Sequence, residues 1–209
     1  MTKTNPFSRS FLGGRFLGHI EQSDKLNWQN VPRKEYGSYA RTFHNAAKAL
    51  AAHTDLDRSA GSDWDACPVV SLYGHALELH LKALVLGDGI NFLGQKPDLE
   101  FVYRTHSLVQ LLEVVWDIVT CAWQKNLTLV GLQNLDFIRS VVTDLDVGGP
   151  GSYAFRYAVD AGGASSKETF SIDNFAKRMD EVLNMLDGTA EALTAAWDLR
   201  IKLRLPKRD

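Results

Sequence analysis

Pro68-Val69-Val70-Ser71-Leu72-Tyr73-Gly74-His75-Ala76-Leu77-Glu78-Leu79-His80-Leu81-Lys82-Ala83-Leu84-Val85-Leu86 runs into Gly87-Asp88-Gly89. This stretch decides the fold class. Proline is tolerated at a first helical turn, and the glycine pair ends the helix that it opens. Val69, Tyr73, Ala76, Leu77 and Leu84 recur at helical spacing, and Glu78 with Lys82 forms a supporting i,i+4 pair. The flanks are apolar as well, with Leu72, Leu79, Leu81 and Val85. A helix that is apolar nearly all round belongs in the middle of a helical body.

The same period continues on both sides. Tyr36, Tyr39, Ala40, Phe43, Ala46, Ala47 and Leu50 predict a first helix between Pro32 and His53. Residues 87–104, with Pro97, read as a loop. Ser107 with Gln110 three residues on has the spacing of a capping box. The helix it opens carries Leu108, Leu111, Leu112, Val115, Ile118, Val119 and Ala122. Leu132, Leu135, Ile138, Val142 and Leu145 predict a shorter one, stopped by Gly148-Gly149-Pro150-Gly151. Tyr153, Phe155, Tyr157 and Val159 then alternate with Ala154, Arg156, Ala158 and Asp160, a strand-like period of two. With a return near Glu168–Phe170 they predict a small β-hairpin-like insertion. Ser171 caps the last helix, where Phe175, Met179, Val182, Leu183, Leu186, Ala190, Leu193 and Trp197 keep helical spacing. Asp187-Gly188-Thr189 is a point at which that helix kinks or divides.

The expected fold is therefore all-α: an antiparallel helical bundle of about five helices, with a small β-hairpin-like insertion before the last long helix. The expected organisation is an N-terminal arm over 1–31, the bundle over 32–203 and a basic C-terminal tail over 204–209. The 209 residues suit one core rather than two.

Composition narrows the function classes. Net charge is −2, unevenly spread. Residues 1–20 carry three bases and no acid, residues 200–209 five bases and one acid, and the remainder 15 bases and 24 acids. A nucleic-acid-binding domain usually has a basic body; here only the ends are basic. They read either as solvated termini or as contacts to a phosphate backbone or an acidic partner. The most apolar run, Leu108–Trp123, is broken by Glu113 and Asp117, so no membrane segment is expected. Cys67 and Cys121 form no CxxC pair, so neither a disulfide framework nor a thiolate metal site is expected, and a cytoplasmic location is the default. His75 and His80 lie five apart, about 140° around a helix, which is the wrong spacing for one metal ion. No metal and no cofactor are expected.

Ala76-Leu77-Glu78-Leu79-His80-Leu81-Lys82-Ala83-Leu84, followed by Thr105-His106-Ser107-Leu108 and Leu111-Leu112, resembles the HEPN superfamily of small helical bundles. Many of its members show a Glu, then Leu-Lys-Ala, then a His-x-Leu opening the next helix. Phe155-Arg156-Tyr157 is similar to the Arg-Tyr segment before the final helix in several of them. The resemblance spans roughly residues 36–200. It implies a prokaryotic stress, toxin–antitoxin or defence setting, pairing as a homodimer, and RNA, a nucleotide or a protein as partner.

Catalytic members of that superfamily are metal-independent ribonucleases. Their signature is an Arg followed, after four to six residues, by a His. Such a His can move the proton of a 2′-hydroxyl while the guanidinium steadies charge on phosphorus. Arg15 and His19 are separated by three residues, Arg41 and His44 by two, and Arg104 and His106 by one. Lys48 precedes His53 with four between, but an ammonium lacks the planar fork. The signature is absent, so a catalytically silent or atypical member is expected.

The candidate ligand-binding residues are Glu78, Lys82, His106, Arg156 and Tyr157, with His106 and Arg156 as the candidate catalytic pair. Glu78 and Lys82 on an apolar helix form either a polar pocket with His106 and Arg156 or a buried, mutually satisfied network. His106 either covers a helix start or moves a proton there. The alternatives to a silent binder are a ribonuclease using a non-standard His/Arg pair and a plain protein–protein interaction module. Trp116, Trp123 and Trp197 serve as core or interface anchors.

Overall fold

The computed structural model describes residues 35–53, 66–93, 98–124, 135–147 and 171–204. Among the described residues the chain is all-helical. The helices are α1 (Tyr36–His53), α2 (Ala66–Leu86), α3 (Leu99–Arg104), α4 (Leu108–Gln124), α5 (Leu135–Val147) and α6 (Ile172–Arg204), with a 3-10 turn over Asp88–Phe92. No strand occurs among the described residues. The arm over 1–31, the strand-like segment that carries Arg156 and Tyr157, and residues 205–209 lie outside them.

α2 is the central element, as its all-round apolarity requires. It packs against α1, α3, α4, α6 and the 3-10 turn. Val69, Val70, Tyr73, Ala76, Leu77, Leu81, Leu84 and Val85 are buried on it. By composition alone Cys67–Leu86, with mean hydropathy 1.3, is long and apolar enough to cross a membrane, and this differs from the expectation set by Leu108–Trp123. In the fold 67% of that window is buried, as in the core helix of a helical body. All seven apolar positions read for α4 are buried. α5 contributes Ile138, Val141, Val142 and Leu145, and α6 contributes Ile172, Met179, Val182, Leu183, Leu186 and Leu193.

The helix ends follow the local chemistry with two differences. Ser171 Oγ accepts from Asn174 N at 3.4 Å at the start of α6. At α4, Ser107 Oγ accepts from Gln110 N at 3.3 Å. The Gln110 side chain accepts from Thr105 Oγ1 at 3.0 Å, and Ser107 N donates to Thr105 Oγ1 at 3.3 Å, so the box closes through a third residue. The stretch 87–104 is more ordered than a loop. Asp98 Oδ1 accepts from Glu100 N and Phe101 N and caps α3, and Val102 pins that helix into the core. Gly87 N donates to Ala83 O at 2.9 Å and closes α2. A Cβ on Gly89 would collide with the Leu84 carbonyl, so only glycine fits that turn.

α1 departs from its predicted stripe. Ala40, His44 and Ala47 are buried, whereas Ala46 and Leu50 are exposed. A histidine therefore occupies an interior position of the helix, and the reason lies on α6.

Candidate functional site

α2 places Glu78 and Lys82 one turn apart, beside the corner where α3 gives way to α4. Lys82 Nζ donates to Glu78 Oε1 at 2.9 Å and to the Tyr103 carbonyl, near the C-terminal end of α3, at 3.3 Å. His106 Nδ1 lies 3.0 Å from the same Glu78 oxygen. A carboxylate only accepts, so Nδ1 carries the proton in this contact and the neutral ring keeps Nε2 as its acceptor. Three of the five candidate residues therefore converge. Arg156 and Tyr157 lie outside the described residues.

Burial divides the three. Glu78 is 6% and Lys82 4% exposed, whereas the His106 side chain is 62% exposed. The ion pair is sealed beneath a histidine that covers it. Such a pair holds its elements together because neither charge can be left alone in the interior. It ties α2 to the end of α3 and the start of α4. Aromatic rings adjoin it: Tyr36 and Tyr103 lie 6.4 Å apart at 49°, and Phe101, two residues before Tyr103 on α3, is exposed. Burial, and then Tyr103 and Glu78, push the Tyr36 phenol pKa upward. Arg104 on this corner is engaged with Glu100 at 2.8 Å.

A second polar group, which the sequence reading missed, runs along the junction of α1, α2 and α6. Asp180 Oδ1 accepts from His44 Nε2 at 2.7 Å and from Tyr73 OH at 2.9 Å, with Lys48 Nζ 3.7 Å from its other oxygen. One heptad along α6, Asp187 Oδ1 faces Arg41 at 3.4 Å and His80 Nδ1 at 3.5 Å. The His44 and His80 rings stand 6.4 Å apart, nearly perpendicular. The signal was a spacing: Arg41, His44 and Lys48 on α1, Tyr73 and His80 on α2, Asp180 and Asp187 on α6, each set at three-, four- or seven-residue steps. Burial is the main force on His80 and lowers its pKa to about 4; Asp187 opposes this, while His44 and Arg41 add to it. Among the described residues its buried Nε2 has no hydrogen-bond partner. Burial and then the bond to Asp180 push the Tyr73 phenol upward.

His75 packs edge-on against Phe43, with ring centroids 4.4 Å apart, away from any shared site with His80. Among the described residues no three His, Cys, Asp or Glu side chains are placed to hold a metal ion. Trp116 lies under the Arg139 guanidinium at 4.4 Å, and Trp197 meets Phe92 edge-on at 5.9 Å. The Trp123 side chain lies outside the description. No protein-family model matches the chain, and no curated protein or solved structure matches it.

Proposed function

We propose that this chain is a catalytically silent, HEPN-like antiparallel bundle, cytoplasmic and homodimeric, that binds RNA, a nucleotide or a protein partner in a prokaryotic stress or defence system. One observation carries the silent part of this reading. Glu78 and Lys82, the charged residues of the motif that resembles the superfamily, are buried and bonded to each other, with His106 also on Glu78 Oε1 and the Tyr103 carbonyl also on Lys82 Nζ. A pair that acts on a substrate must be open to it, and neither Glu78 nor Lys82 is. The binding part draws support from the exposed rings of Phe101 and Tyr103 on α3, the second beside Tyr36, since exposed rings stack on bases or pack on a partner.

The test is purification of the full chain without nuclease, followed by incubation with labelled RNA in EDTA. The reading expects retained nucleic acid or a retained partner, and intact RNA. RNA cleaved by the wild type and spared by His106→Ala would overturn it.

One observation favours a second reading, a metal-independent ribonuclease built on His106. A buried carboxylate that holds Nδ1–H of an exposed imidazole leaves Nε2 as a base within reach of a 2′-hydroxyl. The same assay separates the two readings.

A further inference from the structure

α6 spans 33 residues, about 50 Å, without interruption through Gly188. Glycine is poorly suited to a helix interior, and it persists there mostly where a neighbouring backbone or side chain leaves no room for a Cβ. That reason is missing among the described residues, where a Cβ on Gly188 would meet nothing within 4 Å. The next residue, Thr189, is buried and turns its hydroxyl back onto the Met185 carbonyl at 2.8 Å. Such a back-bond shares a carbonyl that the helix ladder uses, and it bends helices. The residue before, Asp187, pairs with the Arg41 guanidinium at 3.4 Å and lies 3.5 Å from Nδ1 of the His80 ring, and among the described residues no ion pair to another helix follows it on α6.

The two halves of α6 are held differently. The first half buries Met179, Val182, Leu183 and Leu186 and is bonded through Asp180. Beyond Gly188 the buried residues are Thr189 and Leu193, followed by Trp197 against Phe92. The final turns then expose Leu199 at 53% and Ile201 at 43%, interleaved with Arg200 and Lys202. We propose that Asp187-Gly188-Thr189 is a hinge inside α6, latched by Arg41 and His80, which lets the basic, apolar end of the helix reorient while the first half stays fixed. The hinge is independent of the binding reading and stands or falls separately.

Hydrogen exchange on the full-length protein tests it. Amides over 189–202 are expected to exchange roughly tenfold or more faster than those over 176–186, with a step at 187–189. Gly188→Ala is expected to slow the second half by about fivefold and leave the first unchanged. Asp187→Asn, which unlatches the hinge, is expected to widen the step. A smooth gradient rising from the C-terminus, an equal effect of Gly188→Ala on both halves, or no response to Asp187→Asn would overturn the proposal.

Discussion

Replacing Lys82 with methionine keeps an unbranched side chain of similar length and removes the ammonium. Glu78, 6% exposed, then loses its buried counter-charge, and the Tyr103 carbonyl loses a donor. Among the described residues only His106 still reaches the carboxylate, from a position open to water. Breaking one side of a buried pair costs about 3–5 kcal/mol; with His106 in place the lower end applies, about 3 kcal/mol. For a chain of this size that lowers the melting temperature by roughly 6–12 °C. Removing both charges, as in Glu78→Leu with Lys82→Met, leaves no unpaired buried charge, so the double variant is expected to recover most of the loss despite carrying more changes. Urea unfolding of the four proteins in a double-mutant cycle measures both quantities. A single-variant cost below about 1 kcal/mol, in the range of a surface pair, or a double variant no more stable than Lys82→Met, would refute the reasoning.

The pH dependence of stability follows from His80, whose pKa falls from 6.5 unfolded to about 4 folded. The folded state then binds fewer protons between these values, so the contribution is complete above 6.5 and is lost as pH falls toward 4, about 3 kcal/mol in all. Urea unfolding across that window should show the slope in the wild type and lose it in His80→Leu; equal slopes would contradict the assignment. Gly89→Ala drives a Cβ into the Leu84 backbone and is expected to destabilise by more than about 2 kcal/mol in thermal unfolding; a neutral result would mean that the turn relaxes. Tyr73→Phe removes one of the two short bonds to Asp180 Oδ1 and should cost about 1 kcal/mol by urea unfolding, and no measurable cost would place the hydroxyl elsewhere.

Much of the fold is legible in the sequence because it rests on local periodicity. The α2 and α4 stripes, the Ser107 and Ser171 caps and the glycine stop after Leu86 each need only neighbouring residues. α3 was hidden because the seven residues between Pro97 and Thr105 have no period to read; Asp98 and the buried Val102 supply what makes the last six helical. α6 runs unbroken through Gly188 because Leu186, Thr189 and Leu193 bury on either side and offset the glycine's cost of about 1 kcal/mol. His44 was unreadable as a core residue because its partner, Asp180, lies 136 positions away. The meeting of Glu78, Lys82 and His106 came from their pattern, with an open pocket and a buried pair left as alternatives; the pattern could not choose between them, since burial of Glu78 and Lys82 depends on how α3 and the start of α4 pack on α2.

Competitive acetylation of the native full-length chain, read residue by residue in peptide mass spectra, tests the burial of this pair most directly. Lys82, 4% exposed with its ammonium held by Glu78 and the Tyr103 carbonyl, should react far more slowly than the half-exposed Lys48 and should become reactive in step with unfolding. Labelling of Lys82 at the same rate as Lys48 in the folded protein would show an open, available ammonium and would contradict the silent reading of this site.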